Sequence, residues 1–226
     1  MDRALEGHGI IASGPFFLGS WVSTPDTSPQ VFNPRQAIRL LNETGWTQQT
    51  GDHRMRRNGQ PFKVSFLVDR GDKMKERVAL FIRQQRQEVG IEIRLDRLDT
   101  PEFLEKVRTG DFDIALIQYN VGQDPITASL FFHSKYINTL NLARYRNTRV
   151  DSLFEAGELI PDLAKRQPLY HAIYKTLTEE QPLAFLFFKR RFAAANRRIE
   201  GIENRFGFLL SQHIHKWYVA SRPVTP

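Results

Sequence analysis

Cysteine is absent from the 226-residue sequence. With it go disulfide frameworks, thiolate-bound zinc, iron–sulfur sites and cysteine nucleophiles, because each requires the sulfur itself. The compartment stays open, since exported and cytosolic proteins alike can lack cysteine. No apolar run approaches the roughly 20 residues that span a bilayer. The opening MDRALEGHGIIASGPFFLGSW has one arginine balanced by Asp2 and Glu6, then glycines and a proline where a secretory leader needs an apolar stretch. Phosphate-cradling loops are lacking too: neither G-x-G-x-x-G after a strand nor G-x-x-x-x-G-K-S/T occurs. No serine sits in a G-x-S-x-G elbow, and His8, His53, His133 and His171 are scattered. His213 and His215 lie two apart without a third ligand nearby, and they read as surface or packing histidines. Neither a metal, nor a cofactor, nor a catalytic constellation is expected.

What is present is an ordinary globular composition, 41% hydrophobic and 25% charged, with a net charge of +7. Such a surface attracts polyanions at long range, and Lys189-Arg190-Arg191 and Arg197-Arg198 are its densest basic runs. The neighbouring Phe185, Phe187 and Phe188, however, belong to an apolar strand pattern that packing explains better than base stacking. Nucleic acid is therefore not expected as a partner.

Residues 1–32 hold glycines and prolines without periodicity and read as an irregular lead-in or crossover. Residues 33–205 read as one α/β lobe, and 206–226 as a C-terminal tail. In the lobe, Asn33-Pro34 opens a short helix with Ala37, Leu40 and Leu41 on its apolar face, closed by Gly45, with Trp46 and Gly51 in the following loop. After the turn signal Asn58-Gly59, strands are predicted over 62–68, 91–98 and 112–119, with helices near 72–89 and 101–109 between them. This β-α-β-α-β order implies a mainly parallel sheet with helices on both faces. Asp124-Pro125 begins another short helix, and 150–160 and 163–177 read as two more, the second kinked or delayed by Pro168. Leu183–Phe188 (LAFLFF) reads as a buried strand.

Ligands of open α/β sheets sit beyond the carboxyl ends of the strands, which draws attention to Tyr119-Asn120-Val121-Gly122-Gln123-Asp124-Pro125. Several further segments fall in one recognisable order: Gly7-His8-Gly9 with Ser13-Gly14-Pro15, Asn33-Pro34-Arg35-Gln36-Ala37 with Leu40-Leu41 and Gly45-Trp46, then Asn58-Gly59-Gln60-Pro61-Phe62. Val89-Gly90-Ile91, Gly110-Asp111-Phe112-Asp113, Asp124-Pro125, Asn141 with Tyr145 and Asn147, Val150-Asp151, Arg166 through Leu169-Tyr170, and Glu180 with Pro182 continue it. Over nearly the whole chain this series resembles extracellular solute-binding protein family 5, the peptide-, dipeptide- and nickel-binding components of ABC importers.

The resemblance implies a type II periplasmic-binding-protein-like fold, of which this chain is the C-terminal lobe. It implies a missing N-terminal lobe that carries the export signal, and a periplasmic or membrane-anchored extracellular location. The implied partners are a small-molecule or peptide ligand and the membrane permease of an ABC importer. In peptide-binding members an aspartate three residues before the acidic-Pro pair meets the peptide's α-amino group, and a tryptophan lies three residues earlier; here those positions are Val121 and Gln118. Tyr119 and Asn120 are expected to supply ring contact and amide hydrogen bonds to ligand. Asp124 is expected to cap the following helix or to stand in for the missing carboxylate, and Asn141 to orient a loop at the cleft edge. The rival reading is a ligand-sensing lobe fused to a regulatory, DNA-binding N-terminal domain.

Overall fold

The computed structural model describes residues 2–17, 20–22, 31–49, 51–122, 124–137, 139–190, 192, 194–202 and 214–219. In chain order these form the turn of helix α1 (Asp2–Leu5), strand β1 (Gly9–Ile11), helix α2 (Pro34–Glu43) and the strands β2 (Thr47–Gln49), β3 (Asp52–Arg57) and β4 (Gln60–Pro61). Then come β5 (Lys63–Asp69), α3 (Lys73–Glu88), β6 (Glu92–Leu98), α4 (Thr100–Thr109) and β7 (Ile114–Ala115). A 3-10 turn at Pro125–Ala128 leads into α5 (Ser129–Phe132), followed by α6 (Thr148–Glu158), α7 (Leu163–Glu180) and the short strands β8 (Phe187–Lys189), β9 (Ile199–Glu200) and β10 (Tyr218–Val219).

The central sheet is wholly parallel, in the order β6-β5-β7. β5 pairs with β6 from Lys63↔Glu92 to Asp69↔Leu98, and with β7 at Phe66↔Ile114 and Leu67↔Ala115. Alternation along β5 sends Phe66 and Val68 to one core, with Val78 and Ala79 of α3, and Leu67 to another, with Phe103 and Val107 of α4. Helices thus cover both faces, as a parallel sheet requires. The helix ends follow local chemistry. The Asp72 carboxylate accepts the backbone N–H groups of Met74 and Lys75 at 3.0 and 3.1 Å to start α3, and Gly110, at φ 80°, ends α4. A third apolar cluster is gathered by α5, α6 and α7 around Phe154, Tyr170 and Ile173. Gly157 lets α6 and α7 close up, since a Cβ there would lie 2.7 Å from the Tyr170 ring.

Several elements depart from the sequence reading. Residues 47–61, read mostly as loop, fold into the antiparallel order β2-β3-β4, with Asn58 and Gly59 both at positive φ in the tight turn between β3 and β4. α2 forms where expected but buries no residue, and Leu40 is half exposed. β7 has two residues instead of eight, because the chain beyond Ala115 leaves the sheet and Tyr119 packs on Phe131. Pro168 lies inside an uninterrupted α7; it and Ala164, whose carbonyl it leaves unpaired, are exposed, so water can take that carbonyl. LAFLFF contributes only Phe187 and Phe188 to β8, its other residues bridging two cores.

The lead-in is not wholly irregular. Leu5 is fully buried beside α3, β1 pairs antiparallel with β8, and Phe16 and Val22 enter the third cluster. A three-residue strand paired 178 positions downstream leaves no local periodicity to read. His213, Arg191, Gln123 and most of the tail 206–226 lie outside the described residues. Leu5→Ala should lower stability by about 2–5 kcal/mol in urea unfolding, the cost of a truncated core leucine. A loss below about 0.5 kcal/mol would show that the N-terminal segment is detached from the core.

Candidate functional site

The order β6-β5-β7 means that the chain leaves β5 on one side and returns on the other, so the carboxyl ends of β5 and β7 flank a topological switch point. β5 ends in Asp69, whose Oδ1 accepts the Gly71 N–H at 3.1 Å and the Thr100 hydroxyl at 2.9 Å. Its other oxygen lies 3.8 Å from the Lys75 ammonium, and both side chains are mostly buried. Asp72, next along, is the α3 cap. From the end of β7, residues 116–122 and 124 run across to the α5–α7 cluster, and Leu116 N–H still donates to Leu67 O at 3.1 Å.

This segment holds four of the five residues singled out from the sequence. The Tyr119 ring stacks at 4.1 Å, tilted, on Phe131. Its buried hydroxyl makes no hydrogen bond of ordinary geometry, and burial pushes the phenol up to about 12 against the opposing pull of the Leu142 backbone N–H. Asn120 is exposed, while Val121 is half-buried against the α5–α7 cluster. Asp124 caps the following turn, accepting the Ile126 N–H at 3.0 Å, and is held by Arg166 at 3.1 Å. Asn141 lies apart from these four and is fully buried. Its amide donates to His133 O at 3.2 Å and Tyr145 O at 2.9 Å and accepts the Tyr145 N–H at 3.0 Å. It clasps His133 to Tyr145 and, fully buried, is out of a ligand's direct reach.

The functional reading of the sequence passed over Asp69, Lys75 and Arg166. The Arg166 side chain is 11% exposed and stacks between Trp21 and Tyr170, with ring centroids 5.1 and 5.3 Å from its guanidinium carbon. It also donates to the Tyr170 hydroxyl at 3.3 Å, and its Nε is buried without a partner. Asp69 carried a local signal, an acidic strand end just before the capping Asp72; Arg166 stood in the sequence only as a member of the family series, with no role attached. A second polar assembly joins the 141–147 loop to the end of α7: the Tyr145 hydroxyl donates to Glu180 at 2.5 Å and Asn147 donates to it at 2.9 Å, so burial and the carboxylate together push the Tyr145 phenol up. A shallow hollow lined by Ser134, Arg146, Asn147, Thr148 and Asp151 lies at the start of α6. Two of its groups already serve the protein, Asn147 capping the helix and Asp151 accepting from Ser134, and the fold favours the strand ends as the candidate.

Comparison with known proteins places this architecture. A family model described as "Bacterial extracellular solute-binding proteins, family 5 Middle" matches residues 1–139. The chain belongs to this family. The oligopeptide-binding protein AppA of Bacillus subtilis is 26% identical over 97% of the chain and 41% of its own length. The nickel-binding periplasmic protein of Escherichia coli is 23% identical over 80% of the chain and 35% of its own length. The structure of Bacillus subtilis AppA in complex with a nonapeptide superposes with a TM-score of 0.78 at 25% identity, covering 97% of this chain and 44% of that one. NikZ of Campylobacter jejuni, solved with nickel and L-histidine, shows the same fold, with a TM-score of 0.78 at 18% identity over 96% of this chain and 45% of that one. The fold is thus the type II periplasmic-binding-protein α/β fold, and the chain spans less than half the length of these relatives.

Two outcomes test the site's internal construction. Asn141→Ala strands the polar groups it satisfies and should cost about 1–3 kcal/mol, with faster amide exchange at Tyr145; unchanged exchange there would remove the clasp. Because the Tyr119 phenol sits at about 12 when folded and near 10 when unfolded, stability should fall as pH rises from about 10 to about 12. Tyr119→Phe should remove that part of the alkaline loss in pH-dependent unfolding curves, and an identical pH profile would contradict the assignment.

Proposed function

We propose that this family member is the ligand-facing C-terminal lobe of a two-lobed protein that captures a small solute for an ABC importer. The ligand is a peptide or a related small molecule, and capture proceeds by hinge closure and not by catalysis. The observation that carries the reading is the topological switch point between β5 and β7, in a chain matched along nearly its whole length by a protein whose name says that it binds oligopeptides. The partners on this reading are an N-terminal lobe and the importer's permease. The place of action is the periplasm or the outer face of the membrane, with the export signal in the N-terminal part. Among the described residues no helix is long and apolar enough to cross a membrane.

The five residues take graded roles. Asn120 meets ligand, Tyr119 and Val121 shape the wall behind it, and Asp124 and Asn141 fix the loops on either side. Closure of two lobes buries a ligand from both sides, so one lobe alone forfeits much of the contact area. Calorimetric titration of the 226-residue chain with short peptides should therefore give nothing tighter than about millimolar, roughly −4 kcal/mol. Submicromolar binding by the chain alone would contradict the two-lobed reading.

A further inference from the structure

We propose that the open edge of β6 is a self-association surface, on which a second copy of this chain pairs antiparallel with Leu95 opposite Leu95. The proposal is independent of the solute reading. Among the described residues β6 pairs only with β5, so its other side is a sheet edge. The Glu92 N–H donates to Phe62 O and the Arg70 N–H to Leu98 O, both at 2.9 Å, which turns the backbone of Glu92 and Leu98 toward β5. Alternation along the ladder turns Arg94 and Asp96 the same way and leaves Ile93, Leu95 and Arg97 to present their N–H and C=O groups outward. Of these groups only the Arg97 carbonyl has a partner among the described residues, the Arg70 guanidinium at 3.2 Å, and a carbonyl can accept twice. Such a row of unmade hydrogen bonds is a template for another strand.

The side chains select the occupant and its register. β6 runs from Glu92 to Leu98, so Leu95 is its midpoint, and a two-fold axis there pairs the strand with itself over its whole length. In that register Ile93 and Arg97 exchange backbone hydrogen bonds with the partner's Arg97 and Ile93. Arg94 then faces the partner's Asp96 on the α4 side of the sheet, and symmetry repeats the contact. Moving the axis to Arg94 or to Asp96 would set arginine against arginine or aspartate against aspartate. An axis at Ile93 would set Arg94 against Glu92, but Glu92 is held by Lys63 and Arg54, and β3 occupies that end, its Met55 N–H donating to Gly90 O at 2.8 Å. Within one chain the Arg94 guanidinium and the Asp96 carboxylate lie side by side, joined by two hydrogen bonds of 2.9 Å, with the arginine side chain 76% exposed. Two such pairs brought edge to edge alternate in sign. The other charges nearby balance: Asp113 acts on Arg94 and Lys106 on Asp96, while Arg97 is taken by Glu76 of α3.

One strand edge is a small interface, so the dimer should be weak and grow in with concentration. Sedimentation velocity of the 226-residue chain from about 10 μM to about 1 mM should pass from monomer to dimer. Amide hydrogen exchange at the two ends of that range reads the register residue by residue. The Ile93, Leu95 and Arg97 amides should exchange about threefold slower or more at the high concentration, whereas those of Arg94 and Asp96, bonded to β5 in either state, should not change. Arg94→Asp and Asp96→Arg should each weaken association about tenfold, and the double variant, which restores opposite charges across the axis, should regain it. A monomer throughout the range would overturn the proposal, as would a dimer that leaves exchange at residues 93, 95 and 97 unchanged. A folded double variant no better than the single ones would overturn the register. If the variants do not fold, the exchange pattern of the unaltered chain decides alone.

Discussion

Strand β5 lies between β6 and β7 with both faces covered, so its buried residues Phe66, Leu67 and Val68 are each committed to one of two cores. A slip of one residue would exchange Phe66 and Val68 with Leu67 and send all three to the wrong side. The rest of the lobe depends on that register. It sets where α3 and α4 pack, and it brings Asp69 to the carboxyl edge of the sheet. It also leaves β7 to be captured on the open side of β5, which makes the switch point. The switch point is therefore a consequence of packing: it exists because the chain crosses from one side of a doubly covered strand to the other.

A second constraint fixes the loop beside that switch point. Residues 116–122 and 124 have little ladder to hold them, and they are secured at their far end instead. Arg166, stacked between Trp21 and Tyr170, grips Asp124, and Tyr119 lies on Phe131. The arginine thereby ties the N-terminal segment, this loop and α7 into one unit. Removing Asp124 would leave the mostly buried Arg166 guanidinium uncompensated, a greater loss than the pair's net contribution.

The strands and helices of the β5–β7 unit were legible because their signals are local. Alternating apolar residues, an Asp cap before α3 and a glycine stop after α4 need no knowledge of the rest of the chain. The acidic cap of the turn at Pro125 was legible for the same reason. What sequence could not yield is made by distant partners. β1 is a strand only because β8 lies beside it, and β7 stops at Ala115 only because Tyr119 is drawn to Phe131. Pro168 read as kinking α7 or delaying its start because its exposure, which decides whether water can replace the lost hydrogen bond, is a tertiary property. Of the five residues picked for the site, Asn120 is exposed beside the switch point. Asn141 proved an internal clasp, and the arginine that holds Asp124 lies 42 positions away from it.

The account stands on the solute meeting the lobe at the carboxyl ends of β5 and β7. The cysteine-free sequence makes this directly measurable, because one introduced thiol gives one labelling site. Asn120→Cys, at the carboxyl end, and Lys63→Cys, at the amino end of β5, would each carry an environment-sensitive fluorophore. The chain would then be titrated with short peptides to about ten millimolar, where weak single-lobe binding becomes visible. A saturable emission change at position 120, with none at position 63, is the predicted result. A response at position 63 without one at position 120 would place the solute at the wrong end of the sheet and contradict the account.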